Sequence, residues 1–268
     1  MQLFYPPRPG DQTRRQLVHA TTPRHLAGPG DPRYVTAHLL AAGWSDVSVP
    51  GYPHVVLASP AGDVRVALES QSPIRSAGWR IHSTCRRWSM ALDAHVPVEI
   101  VAGVTDLLAV PGDLSEPDRS VWEVLEQRGW SIARDLPDSR MMRPATDPSL
   151  LVDYSDGLGR WTIEAVGGYT TNRLIWRASL THDVPAALLH GLLTRLTDSA
   201  PLYRGRYLTS HHPLLVQDDT SLDAADLVTA YEHRLAAARD AAGRACHPAG
   251  TTPAPADHSV RTGPRRIR

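Results

Sequence analysis

The chain has 268 residues, 42% hydrophobic and 21% charged, enough for one large or two small cores and ordinary for a globular protein. A formal net charge of zero removes any global field toward nucleic acid or membrane. The two cysteines, Cys85 and Cys246, exclude a disulfide framework and a cysteine-based zinc site, so a reduced, soluble, cytoplasmic protein is expected.

Residues 1–15 read as a disordered arm, interrupted by Pro6, Pro7 and Pro9 and lacking the apolar core of a secretory signal. The first helix candidate runs from Arg33 to Gly43, where glycine suits a left-handed helix end. Short β-prone runs follow at Val55-Val56-Leu57, Val64 to Leu68 and Trp79 to His82, the last two in clean alternation. A closing helix starts at Pro97, with Ile100, Val101, Val104 and Leu108 on one apolar face.

The same order then recurs. Arg119 to Gly129-Trp130 lies over Arg33 to Gly43-Trp44, and Arg140-Met141-Met142 over Val55-Val56-Leu57. Trp161 answers Trp79. Trp176, Leu180, Val184-Pro185, Leu188, Gly191 and Leu196 answer Trp88, Leu92, Val96-Pro97, Ile100, Gly103 and Leu108 at one constant offset. Tryptophan is rare, so such matches point to duplication. The expected fold is α+β: a tandem repeat of an α–β-meander–α unit, each an antiparallel sheet with helices on one face. The first repeat spans 16–112 and the second 113–215. Residues 201–213 read as irregular. A C-terminal helix over 216–245 follows, capped by Thr220 with Asp223, with a narrow apolar seam at Val228, Tyr231, Leu235, Ala238 and Ala242. The tail, 246–268, reads as disordered and basic.

His25-Leu26-Ala27-Gly28-Pro29-Gly30-Asp31-Pro32-Arg33, Leu40-Ala41-Ala42-Gly43-Trp44, Ser59-Pro60 and Val96-Pro97-Val98-Glu99-Ile100 resemble the SPDY domain. This is a domain of unknown function found chiefly in streptomycetes, often in tandem copies. The resemblance covers roughly residues 20–200 and is most specific at Leu-Ala-Gly-Pro-Gly-Asp, while the second copy is divergent. It implies an actinobacterial source and the repeat architecture, and no established activity. Val96 and Val184 stand where the family usually has threonine, so a hydroxyl helix cap is absent from both copies.

Familiar chemistries are missing. The chain has no lysine, which excludes a P-loop, and no glycine triplet of a dinucleotide fold. Among the thirteen histidines, His211-His212 is an adjacent loop pair, and His54, His82 and His95 are not preserved as a set in the second copy; neither a metal nor a cofactor is expected. No nucleophile elbow is present, and Cys85 reads as a strand cysteine beside Arg86 and Arg87. The matched tryptophans read as core, because each unit needs them to fold and the chain has a single Phe; Trp122, unmatched, is expected at the interface between units or in solvent.

The leading expectation is a non-enzymatic protein-interaction or regulatory module with an unidentified protein partner and no membrane contact. Nucleic-acid binding through Arg14, Arg15, Arg265 and Arg266 is the alternative. An unrecognised enzyme comes third, with a site between the repeats near Trp79, Arg80, His82 and Cys85; Trp79, Arg80, His82 and Trp161 are the candidate binding residues.

Overall fold

A computed structural model describes residues 15–69, 78–86, 88–110, 114, 119–167, 173–205 and 212–246, with the backbone alone at 15–17, 224, 245 and 246. The first described elements are β1 (Arg15–Thr22) and a 3-10 turn (Arg24–Leu26). Helix α1 (Arg33–Ala41) ends at Gly43, whose φ of 87° reverses the chain so that the Trp44 N–H returns to the Leu39 carbonyl. Strands β2 (Ser45–Asp46), β3 (His54–Ala58), β4 (Val64–Glu69), β5 (Gly78–Ser83) and β6 (Ser89–Asp93) lead to α2 (Val98–Ala109). In β4 the alternation acts as expected, with Val64, Val66 and Leu68 buried and Arg65 exposed.

The second half repeats the order: α3 (Val121–Gln127), β7 (Trp130–Leu136), β8 (Ser139–Pro144), β9 (Leu150–Ser155), β10 (Arg160–Gly167), β11 (Arg173–Thr181) and α4 (Ala186–Leu196). A capping box between Ser120 and Glu123 starts α3. Pro97 and Pro185 sit one place earlier than expected, as the extended residues just before α2 and α4, and neither helix has a side-chain cap. The Pro29 carbonyl instead accepts from the Val98 N–H at 2.8 Å, satisfying one free donor of α2.

All ten of these strands form one antiparallel sheet in the order β2-β3-β4-β5-β6-β11-β10-β9-β8-β7. Two runs of five meet where β6 pairs with β11, in the register Leu92↔Ala178, Ala91↔Ser179 and Met90↔Leu180. Above that seam α2 packs on α4, and the approach is so close that a Cβ on Gly103 would lie 2.4 Å from the Gly191 carbonyl oxygen. A single hydrophobic core spans both halves. Trp44, Trp79, Trp88, Trp130 and Trp176 are buried in it, and Trp161 packs at its edge against Tyr154 and Trp122, with ring centroids 4.7 and 4.9 Å away.

Three expectations need correction. The segment expected to be irregular contains β12 (Leu202–Gly205), and the expected start of the last helix is instead β13 (Val216–Asp223). Together with β1 they form a second sheet in the order β12-β1-β13. The sequence of β13, Val-Gln-Asp-Asp-Thr-Ser-Leu-Asp, lacks an inward aliphatic set and is held by pairing with β1 along its whole length. Thr220 is therefore a strand residue. Asp223 alone caps α5 (Ala224–Cys246), accepting from the Ala225 N–H at 2.9 Å. The seam of α5 takes the packing its narrow apolar stripe suits. It packs on α1, with Ala238 buried and the Ala242 methyl reaching Gly43.

Candidate functional site

Strand alternation separates the residues singled out in the sequence. Trp79 points into the core at 3% exposure, while its neighbours Arg80 and His82 face the other side of the sheet. Trp161 lies on the core side of β10, beyond β6 and β11, so these four side chains do not converge on one cavity. His54 and His82 stand two strands apart, and His95 pairs with Asp93 in the turn before α2. Cys85 is an exposed thiol in the β5–β6 turn. Arg14, Arg265, Arg266, His211 and both terminal arms lie outside the described residues, and Arg15 is described by its backbone alone. No group of three or more metal-ligating side chains occurs among the described residues.

The face carrying Arg80 and His82 is the larger feature. One cross-strand row on it runs Val56, Ala67, Arg80, Ala91, Ser179, Thr162, Asp153, Met141 and Arg134, read directly from the pairing registers. None of these residues is buried, whereas on β4, β5, β6 and β11 their strand neighbours on the opposite side form the core. At ~4.8 Å per strand the row is about 38 Å long. Ala91, Ser179 and Thr162 make its centre small and flat. Arg65, Arg80, Arg134, Arg143, Arg160 and Arg177 share this face with Glu69, Asp153 and Glu164. Arg80 pairs with Glu69 at 3.6 Å, Arg134 with Asp153 at 3.3 Å, and Arg177 with Glu164. Arg65, Arg143 and Arg160 have no ion pair among the described residues, so the face carries spare positive charge.

A serine, a histidine and an aspartate do meet elsewhere, and their sequence separation hides them from a motif search. His25 Nε2 lies 2.9 Å from Ser149 Oγ, and that hydroxyl donates to Asp147 Oδ1 at 2.5 Å. Burial lowers the imidazole to about 4 despite the nearby Asp147 carboxylate, so His25 is neutral at pH 7. The hydroxyl proton is committed to Asp147, which leaves Nε2–H as the donor to Ser149. A general base needs that nitrogen as an acceptor, so the trio ties the 3-10 turn to β9 and does not activate a nucleophile. Trp176 Nε1 donates to the His25 carbonyl at 2.7 Å and completes the clamp. A cleft of about 470 Å³ opens beside it between Arg24, Trp130, Asp147 and Asp198, and Ser149 does not line it.

This histidine sets a pH dependence. Its folded value lies below the ordinary 6.5, so the unfolded chain takes up the proton first and stability falls as pH drops from 6.5 toward 4. His38 and His190 are also lowered by burial and act in the same direction. Between pH 7.5 and 4.5, urea unfolding should show a loss of about 2–3 kcal/mol from His25 alone. The loss should shrink by that amount in His25→Gln; an equal loss in both proteins would refute the assignment.

The Leu26 to Asp31 stretch has a structural partner that its pattern does not announce. Arg204 of β12, 3% exposed, sends Nε to the Ala27 carbonyl at 3.1 Å and Nη2 to the Gly28 carbonyl at 3.2 Å. Both terminal nitrogens grip Glu99 of α2 at 2.7 Å. One guanidinium thus joins the loop, α2 and the second sheet.

The matched halves, each a run of strands closed by a helix, now have their counterpart among known families. The model of SPDY, a domain of unknown function (DUF317), matches residues 58–112 and 137–202. Both regions belong to the SPDY family. The first SPDY region takes in β4 to α2 and the second β8 to α4, while Leu26 to Asp31 lies ahead of the first. No curated protein and no solved structure matches the chain. No helix among the described residues is long and apolar enough to cross a membrane.

Proposed function

We propose that the chain is a non-enzymatic interaction module, and that the uncovered face of its ten-stranded sheet is the surface that receives a protein partner. The observation carrying this reading is the face itself: a ~38 Å row of unburied side chains, small at the centre and arginine-studded around it. Its spare positive charge calls for an acidic partner surface, which gives specificity and a fast encounter. The core tryptophans point away from this face, so it offers no aromatic platform for stacking bases.

The two SPDY regions are, on this reading, copies of one duplicated α–β-meander–α unit related by a local two-fold axis. Support comes from residues that match at one constant offset and also touch. Ala91 faces Ser179 across the β6–β11 seam, and Gly103 faces Gly191 across α2 and α4. Self-complementary contact between equivalent positions is the signature of an isologous interface. Duplication then serves function directly, because joining two edges converts two small sheets into one wide surface.

Affinity capture of the full chain from its own host, with and without nuclease, tests the module. A discrete acidic protein that survives nuclease is the expected result. Material lost with nuclease would move the function to nucleic acid and the basic arms, and recovery of the bare chain would reject a stable partner.

A further inference from the structure

A second, separate feature is a cavity of about 650 Å³ enclosed by α1, the start of α2, β12 and α5. This is within the usual range for small-molecule sites. Its apolar wall comes from Tyr34, Val98, Leu202, Leu227, Ala230 and Tyr231. The charged groups of its lining each have an ionic partner. Arg234 is paired through two bonds, at 3.0 and 2.5 Å, with Asp106, which does not itself line the cavity and has Arg195 3.5 Å away. Glu99 is held by Arg204, and Asp31 by Arg33. The Arg234 guanidinium also lies 4.2 Å over the Tyr34 ring. His38 is lowered by burial and is neutral.

Such a wall is costly if its purpose is only to attach α5. Buried ion pairs contribute little beyond apolar packing of the same volume. Here His38 Nδ1 and Arg234 Nε are in addition buried without a partner among the described residues. The phenol groups of Tyr34 and Tyr231 make no hydrogen bond among the described residues, so each offers the cavity a donor and an acceptor.

We infer that this cavity is a binding site for an uncharged, flat, largely apolar small molecule that carries one hydroxyl or carbonyl group. With each of these carboxylates held by arginine, neither an anion nor a cation finds an uncompensated partner. The aromatic and aliphatic wall takes the body of the ligand, and the tyrosine hydroxyls take its polar end.

The test uses two fluorescent probes on the full-length chain, 1-pyrenemethanol and 1-pyrenesulfonate. The uncharged alcohol should bind at least tenfold more tightly than the anion. Ala230→Trp, which fills the cavity from an exposed position on α5, should abolish alcohol binding. Ala236→Trp, on the same helix outside the cavity, should leave it unchanged, with both variants matching the parent's unfolding midpoint. Equal or tighter sulfonate binding would overturn the uncharged-ligand assignment. Alcohol binding that survives Ala230→Trp, or no binding of either probe, would overturn the site.

Discussion

Replacing Arg204 with alanine should cost about 3–5 kcal/mol of folding stability, the range for removing one member of a buried ion pair. Four groups lose this partner together: the Glu99 carboxylate and the Ala27, Gly28 and Tyr203 carbonyls. The double variant Arg204→Met with Glu99→Met separates the terms. It removes the stranded carboxylate and leaves only the three carbonyls without this donor, so it should be more stable than Arg204→Ala. Urea unfolding of both checks this. A double variant as unstable as the single one would mean that the carbonyl contacts, and not the ion pair, hold the loop.

The second large effect should come from the helix crossing. Gly191→Val places a Cβ 2.2 Å from the Gly103 carbonyl oxygen, against backbone that has no flexible side chain to yield. Intrinsic helix preference favours valine over glycine by a few tenths of a kcal/mol, so propensity alone predicts a slight gain. Steric exclusion should win, with a loss of about 3 kcal/mol or more as α2 and α4 are forced apart. Gly243→Ala supplies the control: nothing lies within 4 Å of its added Cβ, and a gain of up to about 1 kcal/mol is expected there. Loss at both sites would trace the effect to glycine removal in general and remove the close contact as its cause.

These two sites also show what a sequence can and cannot disclose. Gly103 and Gly191 are visible as a matched pair in the sequence alone, because they align at the same offset as Trp88 with Trp176 and Leu92 with Leu180. Their mutual contact is not, since offset says nothing about which copies touch. Strands such as β4 are legible because Val64, Val66 and Leu68 alternate with polar residues and bury one side. β13 is opaque for the opposite reason: its acidic residues carry no inward set, and its form depends on β1, some two hundred positions away. His25, Ser149 and Asp147 escape a sequence search because side chains meet in space and motifs are read along the chain. Arg204 carries no signal at all, being one arginine among many, yet it explains why the Leu26 to Asp31 loop takes its shape. The uncovered sheet face lies between these extremes. Its β-prone runs are legible one by one, but the face exists only because β6 pairs with β11.

On the proposed function this face, and not the helical layer, meets the partner. Site-specific photo-crosslinking in the native host tests it most directly, with the photoreactive residue placed at Ser179 in the middle of the face or at Leu107, exposed on α2. A discrete protein adduct is expected from Ser179 and none from Leu107. An adduct from Leu107 with Ser179 silent would place the interaction on the helices and contradict it.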